Sequence, residues 1–217
     1  MSCSGGTQAV EMTSRDKGRG VFICIEGIDG SGKTTAARRV VKALIEKGYD
    51  AVYTAEPSKG VFGNIVKKSI LQGTKRFPKV LEAVVFAVDR LDHIENEIKP
   101  QLEAGRIMVC DRYLYSSIAY QGTSRRMLKW VREINKHAIK PDLAIYIDVP
   151  PEVMVDRIKR KKSVMETWET QKRAREAYLK QVREGQLEIV EGNVSKNEVA
   201  QAIGHLISDY LKKSYAN

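Results

Sequence analysis

Residues 21–40, VFICIEGIDGSGKTTAARRV, contain the stretch that decides the fold. An apolar run, Val21–Ile25, is followed by three glycines within six residues, from Gly27 to Gly32, and then by a segment of helical character. Glycine costs backbone entropy on folding, so several together indicate a need for bare backbone. The spacing up to Thr34 fits G-x-x-x-x-G-K-[ST], the phosphate-binding P-loop.

This loop predicts a site for the polyphosphate of a nucleoside triphosphate. Its backbone N–H groups would surround the phosphates, and the following helix would add the positive end of its dipole. Lys33 is expected to reach the outer phosphates, and the Thr34 hydroxyl is expected to bind Mg²⁺. A predicted strand precedes the loop, and a predicted helix, Lys33–Lys47, follows it, as the motif requires. The predicted ATP-binding residues are Gly27, Ile28, Asp29, Gly30, Ser31, Gly32, Lys33 and Thr34.

The composition favours one soluble domain. The chain has 217 residues, of which 42% are hydrophobic, and no apolar run approaches the length of a membrane span. Residues 1–20 are small and polar without the apolar core of a secretory signal, so we expect a flexible extension before a single domain, 21–217. Three cysteines, at 3, 24 and 110, show no metal-binding spacing, and this sparse, odd count favours the reducing cytoplasm.

The formal net charge of +10 allows two interpretations. A basic protein can bind nucleic acid, but an enzyme whose substrates are all phosphorylated also benefits from positive charge. The lysines and arginines are spread over predicted helices, and no aromatic residues are interleaved to stack on successive bases. Small anionic substrates are therefore favoured over nucleic acid.

Predicted strands and helices alternate along the chain, which is typical of an α/β fold with a parallel sheet covered by helices on both faces. The predicted strands are Val21–Ile25, Ala51–Thr54, Arg106–Cys110, Leu143–Asp148 and Leu187–Val190. The predicted helices after the first are Phe62–Gln72, Pro78–Glu103 with a bend near Pro100, Tyr113–Gln121, Met127–Ala138, Glu152–Arg160, about Glu166–Arg183, and Lys196–Leu211.

Ligands of such sheets bind at the carboxyl ends of the strands, so the polar residues that follow each strand are candidate site residues. They are Asp29, Glu56, Asp111, Arg112, Asp148, Gly192 and Asn193. In the stretch CDRYLYSSIAYQG, residues 110–122, Asp111 is suited to help hold Mg²⁺ and Arg112 to clamp an anionic phosphoryl group.

A second candidate stretch is VVFAVDRLDHI, residues 84–94. Phe86 and Arg90 are four residues apart and share a helix face, where a ring and a hydrogen-bond donor suit a nucleobase. A separate apolar stripe is expected to pack on the core or on a partner subunit; it consists of Val80, Leu81, Val84, Val88 and Leu91.

Two further stretches are less specific. TAEPSKG, residues 54–60, is a predicted turn directly after a strand. DRIKRKKSVMETWE, residues 156–169, is basic and is called the lid segment here, because such segments can close over transferring phosphates. A solvated helix face is the alternative interpretation of the lid segment.

Together these stretches resemble thymidylate kinases, of the P-loop nucleoside monophosphate kinase group, over about residues 21–211. The motifs that carry the resemblance are EGIDGSGKTT, FAVDR, DRYLYSSIAYQG and PDLAIYIDVPPE. The resemblance implies transfer of the γ-phosphoryl group of ATP to dTMP, and a homodimer. It also implies catalytic roles for Asp29, Lys33, Arg112, Arg157 and Arg160.

The resemblance implies the acceptor contacts as well. Phe86 would stack on thymine, Arg90 would hydrogen-bond its carbonyl, and Arg112 would hold the monophosphate. Tyr120 matches an aromatic residue that disfavours ribose, and Asp29 would lie near the 3′-hydroxyl. The full predicted acceptor set is Glu56, Pro57, Phe86, Arg90, Arg112, Ser117, Tyr120 and Gln121.

The chain departs from the family pattern at two positions. Ala55 replaces the arginine of the T-R-E-P sequence found in bacterial relatives, and either a phosphate contact is missing or Lys59 supplies it. Gly30 occupies a P-loop position where some relatives carry a basic residue, which resembles the subtype whose lid supplies the cation. Two alternative functions stay open: a kinase for another pyrimidine monophosphate such as dUMP, and a nucleic-acid-dependent P-loop ATPase.

Overall fold

The computed structural model describes residues 19–71, 77–153 and 167–215. Residues 1–18 of the predicted extension and most of the lid segment, including Arg157 and Arg160, lie outside these ranges, as does most of the predicted helix from Glu152. Gly20 is buried, and its N–H donates to the Leu102 carbonyl at 2.8 Å. The folded region therefore begins before Val21.

The described residues form a five-stranded parallel sheet in the order β2-β3-β1-β4-β5. The strands are β1 (Val21–Gly27), β2 (Ala51–Ala55), β3 (Ile107–Asp111), β4 (Leu143–Asp148) and β5 (Glu188–Glu191). Every residue of β1 is buried, as expected for a central strand covered on both faces. The predicted α/β fold with a parallel sheet is confirmed.

Helices cover both faces of the sheet. They are α1 (Lys33–Glu46), α2 (Val61–Val66), α3 (Lys79–His93), α4 (Lys99–Glu103), α5 (Leu114–Gln121), α6 (Arg125–Ile134), α7 (Trp168–Arg183) and α8 (Lys196–Tyr215). Alternate residues of β1 enter two cores: Phe22 and Cys24 face the core that includes α5 and α7, whereas Ile23 and Ile25 face α1 and α8. This alternation explains the uninterrupted apolar run of β1.

Several elements differ in their bounds from the sequence prediction, including the following three. The predicted helix Pro78–Glu103 is interrupted by a π-helical segment, Ile94–Ile98, just before Pro100, whose nitrogen has no hydrogen to donate to the preceding turn. The predicted end of a helix at Ala138 is wrong, because α6 ends at Ile134 and buried Asn135 turns its side chain back to the Val131 carbonyl. The last strand lies one residue later than predicted.

The strand order brings the predicted site residues to one edge. β1 lies between β3 and β4, so the P-loop after β1 lies beside Arg112, which follows β3, and beside Asp148, which ends β4. None of the described helices is long and apolar enough to cross a lipid bilayer.

Candidate active site

The P-loop needs glycine for two separate reasons. A Cβ atom at Gly27 would lie 2.4 Å from the Ser31 hydroxyl oxygen and 3.2 Å from the Ile147 carbonyl oxygen, so a side chain has no room there. Gly32 has φ of 90°, a left-handed conformation that other residues rarely adopt, and it directly precedes the first turn of α1. The loop can therefore turn tightly and present bare backbone at a helix N-terminus.

Lys33 and Asp29 lie together at the centre of the loop. The Lys33 ammonium donates to the Ile28 carbonyl at 3.1 Å and lies 3.9 Å from Asp29 Oδ1. Burial, reinforced by the charge of Arg112, lowers the pKa of Lys33 to about 8. Burial alone would raise the pKa of Asp29, but Arg112 and Lys33 outweigh it and the pKa is lowered. The pair is thus a cation and an anion held together within the P-loop.

Arg112 joins this pair from the end of β3. Its φ of 70° is unusual for a residue with a side chain, and such strain is typical of functional positions. The guanidinium donates to the Gly27 carbonyl and to the Ser116 hydroxyl, each at 3.1 Å, and forms an ion pair with Asp29 Oδ1. Its carbon lies 5.4 Å from the centre of the Tyr120 ring. Arg112 is therefore oriented by four separate contacts.

A buried carboxylate, Glu26, binds the residues that directly follow Arg112. Glu26 Oε1 accepts the backbone N–H groups of Tyr113 and Ser116, and Oε2 accepts the hydroxyls of Ser116 and Tyr178 at 2.7 and 2.9 Å. Burial raises the pKa of Glu26, although these hydrogen bonds lower it in part. Because Ser116 contacts both Glu26 and Arg112, the carboxylate fixes the arginine indirectly.

Thr34 and Asp111, the predicted magnesium residues, meet across the loop. The Thr34 hydroxyl donates to Asp111 Oδ2, which also accepts the Tyr53 hydroxyl at 3.3 Å. The other oxygen, Oδ1, is buried with no hydrogen-bond partner among the described residues. A hydroxyl beside a carboxylate with one open oxygen fits a hard cation such as Mg²⁺.

A second cluster surrounds Arg90 on α3. Arg90 is only 1% exposed, and its guanidinium donates to Glu56 at 2.6 Å, to Asn135 at 2.6 Å and to Ser117 at 3.2 Å. Its Nε has no partner in the described part of the chain. The carbon of the guanidinium also lies 5.2 Å from the centre of the Tyr113 ring. Arg90 therefore has structural partners besides any that a substrate would offer.

His93, one turn further along α3, binds the other side of the same carboxylate. Its Nδ1 lies 3.4 Å from Glu56 Oε1, and its Nε2 lies 2.7 Å from the Thr54 hydroxyl and 3.5 Å from Glu97. Burial alone would lower the pKa of His93, but the hydrogen bonds and charges of Glu56 and Glu97 raise it to about 9. A charged histidine thus ties α3 to the residues after β2.

The remaining predicted acceptor residues have the following surroundings. Phe86 is half-buried against the core, and a cis peptide bond joins Glu56 to Pro57. Gln121 is buried and donates to Glu82 at 2.7 Å. Tyr120 lies under Arg112 and donates to Gln171 at 3.0 Å.

One departure from the family pattern, Ala55, lies at this edge. Ala55 pairs in register with Asp111, one of the predicted metal residues. Its methyl side chain is too short to replace an arginine there. Lys59 is exposed. Asp148, another residue predicted at the strand ends, forms a two-bond ion pair with Arg175 at 2.8 Å, and the Asp148 carbonyl accepts the Gly192 N–H at 2.7 Å.

Several site residues were missed by sequence reasoning. Glu26 had a signal, since it is an acidic residue within an otherwise apolar strand, and Ser116 lies one helical turn after Arg112. Gln171 had none, because it stands in a strongly polar helix with nothing to distinguish it from its neighbours. Asn135 and His93 are brought to the site only by packing of α3 and α6.

Comparisons with known proteins identify relatives of this chain. A family model described as thymidylate kinase matches residues 25–203. A probable thymidylate kinase of Pyrococcus abyssi is 38% identical over 201 residues, which cover 89% of this chain and 98% of the relative.

Two further relatives carry the same name. The probable thymidylate kinase of Staphylothermus marinus is 39% identical over 195 residues, covering 88% of this chain and 96% of the relative. That of Thermococcus gammatolerans is 40% identical over 171 residues, covering 74% of this chain and 82% of the relative. Since the family model matches most of its length and these relatives are 38–40% identical to it, the chain belongs to the thymidylate kinase family.

Proposed function

We propose that this protein transfers the γ-phosphoryl group of ATP to dTMP, giving dTDP and ADP. The observation that carries the proposal is the meeting of Lys33, Asp29 and Arg112 at one edge of the sheet, in a chain that belongs to this family. Phosphoryl transfer depends on positioning and charge, and these groups supply both.

On the donor side, ATP would lie along Gly27 to Thr34. The loop N–H groups and the start of α1 would bind its phosphates, and Lys33 would exchange its bond to the Ile28 carbonyl for a phosphate oxygen. The buried Ser31 hydroxyl has no partner among the described residues, so it is available for a phosphate oxygen.

Thr34 and Asp111 would hold Mg²⁺, with the remaining ligands supplied by phosphate oxygens and water. The bound ion would neutralise charge on the phosphates during transfer. The open Asp111 Oδ1 supports this assignment.

On the acceptor side, Phe86 would stack on thymine and Arg90 would bind its carbonyl, with Ser117 and Gln121 close to the base. Arg112 would leave Asp29 for the acceptor phosphate, and Asp29 would then orient the sugar near its 3′-hydroxyl. Tyr120, below Arg112, would disfavour a ribose 2′-hydroxyl. The edge formed by Glu56 and Pro57 would close this side of the pocket.

Transfer itself needs cations around the equatorial oxygens of the moving group. Lys33 and Arg112 would contribute from the described part of the site. We propose Arg157 and Arg160 of the lid segment as the remaining donors, because Gly30 leaves the P-loop without a basic residue at that position. No covalent intermediate is required.

A coupled assay of ADP release tests the proposal against its two alternatives. We expect release to require a nucleoside monophosphate, to be fastest with dTMP, and to stop when a chelator removes Mg²⁺. Faster release with dUMP would reassign the acceptor. Release that depends on DNA or RNA instead would support a nucleic-acid-dependent ATPase and contradict the kinase.

We also propose that the protein is a cytoplasmic homodimer. The stripe on α3 supports a partner subunit, because Val80, Leu81, Val84 and Leu91 are between 37% and 53% exposed in the single chain. Cys24 and Cys110 are free, buried thiols, which is compatible with a reducing compartment.

A further inference from the structure

Gln171, in the first turns of α7, has an unusual set of partners. Its side chain is fully buried, and three of its hydrogen bonds join it to residues of the active site. Nε2 donates to Asp29 Oδ2 at 2.8 Å, whereas Oε1 accepts both the Asp29 N–H and the Tyr120 hydroxyl at 3.0 Å. One amide therefore binds the backbone and the carboxylate of the P-loop aspartate together with the aromatic residue below Arg112.

At neutral pH a carboxamide satisfies this arrangement, whereas a carboxylate does not. Asp29 Oδ2 needs a donor, while the Asp29 N–H and the Tyr120 hydroxyl need an acceptor, and glutamine provides both from one planar group. An ionised glutamate of the same shape could accept but not donate, and it would oppose the Asp29 carboxylate. The chemistry of the side chain, and not merely its volume, is specified by the site.

These hydrogen bonds matter because Asp29 and the acceptor phosphate would compete for the same arginine, Arg112. In the structure Asp29 is paired through Oδ1 with Arg112, the same arginine proposed to hold the acceptor phosphate. Once Arg112 turns to that phosphate, Asp29 would lose its main fixed partner, and Lys33 is 3.9 Å away. Gln171 holds the opposite oxygen and the backbone, so its contacts persist when Arg112 moves.

We propose that Gln171 is a positioning residue that keeps Asp29 and Tyr120 in register for the acceptor sugar while Arg112 binds phosphate. This inference rests on the proposed function, since it assigns those two residues to acceptor recognition. Gln171 acts through them without contacting the transferring group.

The variants Gln171→Ala and Gln171→Glu test the proposal, with Gln181 as the matched control. Gln181 is also buried on α7, but its bonds within the described residues go to the backbone carbonyls of Tyr115 and Ala177. A role in general helix packing predicts similar effects at both positions and a milder effect of the isosteric glutamate than of alanine. A positioning role predicts that, at residue 171, glutamate has the larger effect and alanine the smaller one.

The first measurement needs no substrate. Thermal unfolding of Gln171→Glu should show lower stability at pH 8 than that of Gln171→Ala, with the difference shrinking toward pH 6 as the new carboxyl takes up a proton and can donate to Asp29. The titratable groups that residue 171 contacts are Asp29 and Tyr120, and the cations that act on Asp29 are Arg112 and Lys33. A glutamate variant that is as stable as alanine throughout would overturn the contact.

The second measurement is steady-state kinetics with dTMP and with its 2′-hydroxyl analogue. Loss of a hydrogen bond to a charged group lowers a rate or binding constant roughly tenfold to hundredfold. We therefore expect kcat of Gln171→Ala to fall by about that factor, while KM for ATP stays unchanged. The preference for the deoxyribose acceptor should narrow, and Gln171→Glu should be slower than alanine at pH 8 and recover toward pH 6.

The outcomes separate the two proposals. If the wild-type protein phosphorylates a different monophosphate, the proposed substrate is wrong, and the same variants are compared with that acceptor. If wild-type activity with dTMP is present but Gln171→Ala retains its kcat and its preference for deoxyribose, the positioning role is wrong.

Discussion

At the scale of single residues, Lys33 combines burial with charge. Its ammonium is almost inaccessible, and its pKa is lowered to about 8, because the folded protein removes it from water and places it near Arg112. A cation whose pKa is lowered in the folded state costs stability at neutral pH, where the unfolded chain also carries it protonated. Such a cost is tolerated where the charge has a function.

Replacement of Lys33 should therefore separate function from stability. We expect Lys33→Ala to lower turnover by about a hundredfold or more, as for loss of a charge that stabilises a transition state. The melting temperature should stay equal or rise, since an unfavourable buried charge is removed. Kinetics and thermal unfolding measure the two effects, and Lys42→Ala, an exposed lysine of the same helix, is the control. Unaltered turnover would remove Lys33 from the mechanism.

Arg90 and Arg112 should differ in which part of the acceptor they bind. Arg90→Ala would leave Glu56 buried beside His93 without its main partner, and breaking a buried ion pair costs about 3–5 kcal/mol. Lysine is the better test of specificity, because it keeps the charge but loses the planar fork.

We expect Arg90→Lys to weaken use of dTMP and to narrow its preference over dCMP, whose exocyclic amine cannot accept the hydrogen bond. Arg112→Lys should lower kcat/KM for both acceptors alike by roughly tenfold to hundredfold, because every acceptor carries the same phosphate. The measurement is kcat/KM for both nucleotides with each variant. Equal losses with Arg90→Lys would assign Arg90 to phosphate binding or to structure.

At the scale of elements, α3 is joined to β2 through a protonated histidine. The pKa of His93 is raised from 6.5 to about 9, although burial opposes the charge, because Glu56 and Glu97 hold it. The folded state therefore binds the proton more tightly than the unfolded chain. Its contribution to stability is complete below pH 6.5 and is lost as the pH rises toward 9.

His93→Gln should remove this pH dependence. Each pKa unit corresponds to about 1.4 kcal/mol, so the wild-type protein should lose on the order of 2–3 kcal/mol of unfolding free energy across that window because of this group. The variant should be less stable at pH 6 and have a flatter profile up to pH 9. Urea unfolding at several pH values measures both, and His205→Gln, an exposed histidine of α8, is the control. Parallel profiles would contradict the assignment.

At the scale of the whole molecule, the apolar stripe of α3 is left exposed to solvent by the described residues. Leu91 and Val84 are 38% and 37% exposed, and the neighbouring α2 exposes Val61 and Phe62 beside it. A twofold dimer would bury one helix face against its own copy, which is the commonest arrangement of homo-oligomers. An exposed apolar patch on an otherwise charged surface is typical of a protein–protein contact surface.

A charged residue in the stripe should dissociate the proposed dimer. We expect Val84→Glu to shift the protein to a monomer at micromolar concentration, measured by light scattering, because the carboxylate would be buried without a partner. Ile45→Glu is the matched control, since Ile45 is exposed but lies on α1, away from the stripe. A wild-type monomer at that concentration would contradict the interface.

The sequence determined the nucleotide loop, the parallel sheet and the edge where ligands bind. These follow from local rules: glycine spacing fixes the loop, apolar runs fix the strands, and parallel strands bring their carboxyl ends together. The predicted proximity of Asp29, Lys33 and Arg112 is found in the structure for that reason.

The tertiary structure alone decided the partners of those residues. Gln171 and Asn135 reach the site from helices far along the chain, and Arg90 proves to be part of a buried network with Glu56 and His93. Hydrogen bonding between distant side chains leaves no periodic trace in the sequence, because it depends on the docking of helices and not on the pattern within one. The motif determines what the site binds, and the packing determines how each group is held.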